Sequence, residues 1–270
     1  MIALLLNSGL GSRMGDETRE HPKCMTVLGH QRSQAPSLAT LGDSKESQSL
    51  VGHASDLDYP HTIISWQVKL LERAGVTEAV VTTGHLSGML EDYLRSLDTP
   101  IRFHFVHNPR YRETNYIYSM YLARELLKGQ DVLSLHGDLV MHPKVMERLT
   151  ASPVSCVTVD TTLPLPEKDF KGRIRDGRLT EVGVNVFGDD CVELQPAYRF
   201  LARDFDRWMQ EIERFVEAGN DRVYAENAFN AAWQEIPVCP LDVQGLLCAE
   251  IDNQQDKEYV SKRFAQEVLK

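Results

Sequence analysis

The stretch that decides the fold is Ile2-Ala3-Leu4-Leu5-Leu6-Asn7-Ser8-Gly9-Leu10-Gly11-Ser12-Arg13-Met14-Gly15, followed at a short distance by Pro22-Lys23. Its apolar run reads as a buried strand, and the strand breaks into a glycine loop. Gly9 and Gly11 permit positive φ and close backbone approach, so successive N–H groups can turn toward an anion. Arg13 and Lys23 add cationic donors to the same mouth, and the ligand this arrangement suits is a polyphosphate. Two other readings stand beside it. A glycine turn after a strand is common on its own. Gly9-x-Gly11-x-x-x-Gly15 is also close to the dinucleotide fingerprint, but that fold wants a second strand ending in an acidic residue about 20 residues on. Here the corresponding stretch is polar and insertion-like.

The full string G-L-G-S-R-M-G-x-x-T-x-x-x-P-K resembles the signature of the nucleotidyltransferases that activate sugar phosphates and phosphocholine. The resemblance implies an α/β, Rossmann-like three-layer fold with a mixed, mostly parallel central sheet and a small antiparallel excursion. It makes Arg13 and Lys23 the catalytic cations that hold the triphosphate. It also lays the nucleotide against Leu6, Asn7, Ser8, Gly9, Gly11, Ser12, Gln67 and Gly84. One departure is visible, since the family usually has Ala-Ala-Gly where this chain has Asn7-Ser8-Gly9.

At 270 residues, 42% hydrophobic and 25% charged, the chain can build one substantial α/β core, and a single domain spanning 1–270 is expected. A net charge of −10, spread along the chain, argues against a nucleic-acid surface, which needs a dominant positive face. The five cysteines, Cys24, Cys156, Cys191, Cys239 and Cys248, show no paired or zinc-type spacing and read as reduced thiols. No window approaches a membrane span and the first residues form no signal segment, so a cytoplasmic enzyme is expected.

After Leu28-Gly29 periodicity is lost until about Pro60, which marks residues 31–60 as a surface insertion beside the nucleotide mouth, with a lid as one reading. Ile63 to Ala74 has apolar residues at helical spacing and ends at Gly75; Ala79 to His85 is a strand ending at Gly84. A helix over about 88–97 and a strand over 101–106 follow. This alternation predicts a parallel sheet with crossover helices, and such sheets bind ligands at the carboxyl ends of their strands. Asp176-Gly177 between two short runs is a strong hairpin signal, so the sheet is expected to be mixed. Further strands are expected near 155–159, over 191–199 and at 248–251, with an amphipathic helix from Phe200 to Ala218 and a final helix.

Asp131-Val132-Leu133-Ser134-Leu135-His136-Gly137-Asp138 is an apolar strand ending in a carboxylate. Mg²⁺ on a triphosphate takes one or two protein carboxylates, and Asp138 is placed to supply one; a loop aspartate capping the next turn is the alternative. Asp252 follows another apolar run, and Asp252-x-x-Gln255 also reads as a helix capping box. The block N-x-x-Tyr-x-x-x-N-x-Ile-Tyr-Ser-x-Tyr-Leu, residues 108–122, resembles the bacterial phosphocholine cytidylyltransferases, whereas sugar-phosphate members usually lack it. That resemblance implies CTP as nucleotide, Mg²⁺ held by Asp138 and Asp252, and transfer of CMP to a small phosphorylated or phosphonate acceptor with release of pyrophosphate. It draws the acceptor pocket from Asn115, Tyr118, Ser119, Tyr198, Arg199, Glu226 and Asn227. Tyr198-Arg199 stands where relatives carry a Trp-Asp pair, so an acceptor with an extra anionic group is one expectation, and an Arg199 turned to solvent is the other. A sugar-1-phosphate enzyme using UTP or dTTP, and a nucleotide-binding protein without turnover, are the competing functional readings.

Overall fold

The computed structural model describes residues 1–11, 14–15, 17–28 and 61–269. Ser12, Arg13 and the expected insertion at 31–60 lie outside the described residues. The central sheet has the strand order β10-β6-β9-β4-β1-β2-β3, built from β1 (Ile2–Asn7), β2 (Glu78–Thr83), β3 (Arg102–His107), β4 (Val132–His136), β6 (Cys156–Asp160), β9 (Cys191–Phe200) and β10 (Cys239–Asp242). β1 pairs in parallel with β2 and β4, while β9 runs antiparallel between β4 and β6. The hairpin of β7 (Lys171–Arg175) and β8 (Arg178–Gly183) docks on β9 and turns through Asp176 and Gly177, both at positive φ. A separate two-stranded ribbon pairs β5 (Leu139–Met141) with β11 (Cys248–Glu250). The mixed, mostly parallel sheet with an antiparallel excursion is therefore the architecture observed.

β1 shows why the layers number three. Ala3 and Leu5 point into one core with α2 (Ile63–Arg73), α3 (Ser87–Ser96), α5 (Pro143–Ala151) and α8 (Gln254–Glu267). Ile2 and Leu4 point into the other, against α4 (Tyr116–Leu127), α6 (Ala202–Glu217) and α7 (Ala225–Ala232). Successive residues alternate between faces, so a strand buried on both sides must be apolar throughout, as this one is. Leu28 N donates to His61 O at 2.7 Å, so the described residues on either side of 29–60 are held together.

One local expectation fails. The capping box of α8 uses Asn253, whose side chain accepts from Gln255 N and Asp256 N, while Asp256 accepts from the backbone N–H of Asn253. Asp252 thus lies one residue outside the cap, and its own carboxylate turns to a different partner. No helix among the described residues is long and apolar enough to cross a membrane, and all five cysteines are unpaired.

Candidate active site

The carboxyl ends of β1 and β4 open into a cavity of about 360 Å³. The glycine loop supplies one wall through Ser8, Gly9 and Gly11, and Asn108, Tyr111, Asn115 and Tyr116 supply another. Close backbone approach makes this geometry possible. A Cβ on Gly137 would meet Asn7 Oδ1 at 2.0 Å, and one on Gly84 would meet Ser8 O at 2.4 Å, so neither position accepts a side chain without moving the loop. Asn7 is buried at the cavity edge and both its side-chain amide atoms lack a hydrogen-bond partner among the described residues. An unpaired buried amide is costly, and a bound ligand would relieve it.

Lys23, in the 3₁₀ turn Lys23–Met25, reaches the cavity floor with its ammonium between two carboxylates. Nζ donates to Asp138 Oδ2 at 2.5 Å and to Asp252 Oδ1. Asp138 follows the end of β4 and Asp252 follows the end of β11, so strand pairing around β5 brings residues 114 positions apart to one ammonium. Burial opposes the Lys23 charge, but Asp138 and Asp252 outweigh it and the pKa is raised. Burial likewise opposes the charge of Asp138, yet Lys23 and then His136 hold its pKa below the ordinary value.

Two further ionisable groups sit beside them. His136 Nδ1 contacts Glu250 Oε1 at 3.0 Å, and His136, Asp138 and Glu250 present their ligand atoms within 4.8 Å of one another. Burial and the neighbouring Asp138 charge push Glu250 up to about 7. For His136, burial is outweighed by the hydrogen bond and charge of Glu250, which raise its pKa. Neither residue was singled out from the sequence. A signal was there: His136-x-Asp138 and Glu250-x-Asp252 repeat one spacing at two strand ends, and a step of two returns side chains to one face.

Beyond the carboxylates the cavity is walled by rings. Tyr116 meets His136 edge-on at 4.9 Å, Phe170 meets Tyr224 at 5.0 Å, and Tyr116 and Tyr224 lie 5.9 Å apart. Glu226 stands behind this wall, 2% exposed, accepting from the hydroxyls of Tyr116 and, at 3.0 Å, Tyr198.

Several expected acceptor or nucleotide residues lie elsewhere. Arg199 pairs with Leu133, two residues into β4, and its guanidinium reaches Asp131 Oδ2 at 3.5 Å at the amino end of that strand. Three residues of strand, ~10 Å, separate it from the level of His136. It neither faces solvent freely nor lines the cavity, because β9 runs antiparallel and carries it away from the carboxyl ends. Tyr198 and Glu226 form part of the buried support behind Tyr116. Tyr118 stacks on Tyr121 at 6.0 Å and carries the Arg110 guanidinium at 5.0 Å, outside the cavity. Ser119 is buried, with its hydroxyl 2.7 Å from that of Ser8 and accepting from Asn108 Nδ2, so it braces the glycine loop from below. Asn227 is exposed and donates to Tyr224 O at 3.1 Å. Gln67 is fully buried behind the site, donating to His136 O and Leu139 O, both at 2.8 Å, and so fixes the turn that presents Asp138. Asn115 does line the cavity while capping α4.

The fold is one shared with solved nucleotidyltransferases. The solved structure of CTP:phosphocholine cytidylyltransferase from Streptococcus pneumoniae matches the fold with a TM-score of 0.69, at 18% identity over 97% of this chain and 98% of that one. In sequence the chain is 32% identical over 282 residues to CMP-5'-(3-aminopropyl)phosphonate synthase of Streptomyces rubellomurinus, an alignment covering 97% of this chain and 38% of that protein. It is 24% identical over 232 residues to CTP:phosphoglutamine cytidylyltransferase of Campylobacter jejuni, covering 80% and 78%. The chain therefore spans well under half the length of the first relative and about four fifths of the second. No protein-family model matches it.

Proposed function

We propose that this chain transfers CMP from CTP to a small phosphorylated or phosphonate acceptor and releases pyrophosphate. The observation that carries the reading is the Lys23 ammonium held between Asp138 and Asp252 on the floor of a glycine-loop cavity. The names of the two sequence relatives, one a CMP-phosphonate synthase and one a CTP-dependent cytidylyltransferase, support the choice of nucleotide and acceptor class.

In this reading an oxygen of the acceptor phosphate or phosphonate attacks the α-phosphorus of CTP, the bond from that phosphorus to the bridging oxygen breaks, and pyrophosphate leaves with the electron pair. The acceptor oxygen is already ionised, so no side-chain base is required, and positioning with charge neutralisation supplies the catalysis. Backbone N–H groups of Ser8 to Gly11 would hold phosphate oxygens, with Lys23 following the charge as it develops and Arg13 acting from the same loop. The donor set fits Mg²⁺: Asp138 and Asp252 offer hard oxygens, and Glu250 adds a third carboxylate whose oxygen lies within 4.8 Å of that of Asp138. When bound there, Mg²⁺ would neutralise triphosphate charge.

The ring wall of Tyr116, His136, Phe170 and Tyr224, with carboxylates at its edge, suits a cationic nitrogen on the acceptor. The 3-aminopropyl group named for the first relative is of that kind. With Arg199 toward the amino end of β4, away from the cavity, the proposed extra anionic group has no partner there. Five unpaired thiols favour the cytoplasm as compartment. The test is acceptor-dependent pyrophosphate release with each of the four nucleoside triphosphates against a panel of phosphorylated amines and aminoalkylphosphonates. CTP with an amine-bearing acceptor should give the highest kcat/KM; equal rates with UTP or dTTP and sugar 1-phosphates would favour the sugar-nucleotide reading.

A further inference from the structure

Lys171 is a lysine with no exposed surface and no carboxylate contact within salt-bridge distance among the described residues. A buried ammonium is costly unless its donors are satisfied, and this one is satisfied by main chain. Nζ donates to Pro166 O at 2.7 Å and Asp169 O at 3.0 Å, approaches Glu167 O at 3.5 Å, and lies 4.3 Å from the centre of the Phe187 ring. The carbonyls all belong to the segment leading into β7, and Lys168, Asp169 and Phe170 of that segment line the cavity. Three carbonyls converging on one cation bend the chain into a fixed loop that its own sequence, with Pro164 and Pro166 but no helix or strand, does not otherwise hold.

We infer that Lys171 is a positioning residue for acceptor selection: its ammonium clamps residues 166–169 so that Lys168, Asp169 and the Phe170 ring form the distal wall of the pocket. In the proposed reading the nucleotide is held by the glycine loop and Lys23, neither of which hydrogen-bonds to Lys171, while the Phe170 ring meets His136 edge-on at 6.3 Å on the side of the ring wall. The wall therefore bears on the acceptor more than on the nucleotide, and an ammonium ion matters here where a hydrophobic residue of equal length would fill the space without fixing the loop. The inference rests on the proposed assignment of this end of the cavity to the acceptor.

The test compares wild type with Lys171→Met and with Phe187→Ala, the latter removing a half-exposed ring that shields the ammonium. The first readout needs no turnover: the rate at which a glutamyl endopeptidase cuts after Glu167, an exposed site inside the clamped loop. Loss of a hydrogen-bonded charge typically changes an equilibrium by roughly tenfold or more, so Lys171→Met should be cut about tenfold faster than wild type and Phe187→Ala measurably faster. The second readout is the split in KM. KM for the acceptor should rise roughly tenfold in Lys171→Met with KM for CTP within about twofold of wild type. Unchanged cutting in a folded Lys171→Met protein, or equal rises in both KM values, would overturn the inference. If Lys171→Met does not fold, the cutting rate of Phe187→Ala decides: faster supports the clamp, unchanged rejects it. A wild type with no acceptor-dependent turnover would reject the proposed function and the acceptor role with it, whereas the cutting rates would still decide whether the clamp exists.

Discussion

Replacing Lys23 by methionine keeps the length of the side chain and removes its charge, leaving Asp138 and Asp252 facing one another with Glu250 close by. The three groups of the cluster are mostly buried, with side chains 14%, 20% and 13% exposed for Lys23, Asp138 and Asp252. Breaking a buried ion pair by deleting one partner costs about 3–5 kcal/mol, because the surviving charge is left without compensation. Each carboxylate here keeps some contact with solvent, so the lower end applies, about 3 kcal/mol. For a chain of this size that is a fall in Tm of roughly 5 °C. Divalent metal should offset part of it, since a cation that binds the folded state stabilises it in proportion to its occupancy. Thermal melts at pH 7.5 with and without millimolar Mg²⁺ read both effects: Lys23→Met should melt well below wild type and recover more on adding Mg²⁺. Turnover should fall about 10²-fold or more even where the fold is intact, the scale of losing one preorganised donor. A Tm within about 2 °C of wild type, or the same Mg²⁺ increment in both proteins, would refute the reasoning that the ammonium balances these carboxylates.

Asp138→Asn and Asp252→Asn should each lower kcat by orders of magnitude with an unchanged circular dichroism spectrum, and near-normal turnover at saturating Mg²⁺ would remove that residue from the site. Glu250 carries a pKa of about 7 in place of 4.5, so the folded state binds its proton more tightly than the unfolded state, and stability falls as pH rises between those values. The full effect is roughly 3 kcal/mol, and the raised His136 pKa acts in the same direction because its stabilising charge is lost as pH rises. Denaturation at pH 5 and pH 8 without metal should show this slope in wild type and a flatter one in Glu250→Gln; equal slopes would contradict it. Gly84→Ala would drive a Cβ to 2.4 Å from Ser8 O, so KM for CTP should rise about tenfold, and an unchanged value would show that the loop can yield.

The parallel sheet was legible because its strands are apolar runs ended by glycine or aspartate, and the hairpin because Asp176-Gly177 has one dominant use. Lys23, Asp138 and Asp252 were legible as separate strand-end or loop residues. The convergence of Asp138 and Asp252 came from the resemblance alone and the seat of Lys23 between them was not expected, since both depend on the antiparallel pairing of β5 with β11, a ribbon of three residues per strand with little periodicity. The acceptor side was read least well. Tyr198 and Arg199 were placed by analogy along the chain, but strand direction decides which end of the sheet a residue reaches, and β9 runs against its neighbours. Helix phase decided similarly on α4, where Asn115 and Tyr116 face the cavity while Tyr118 turns outward. Lys171 carried no sequence signal at all, because its partners are main-chain carbonyls.

The measurement that bears most directly on the central claim is the mass of the product formed from CTP and an aminoalkylphosphonate or phosphocholine. A CMP-acceptor conjugate with one equivalent of pyrophosphate, formed only when acceptor is present and lost in Asp138→Asn, is the result the account predicts. Hydrolysis of CTP without a conjugate, or a conjugate formed equally well by Asp138→Asn, would contradict it.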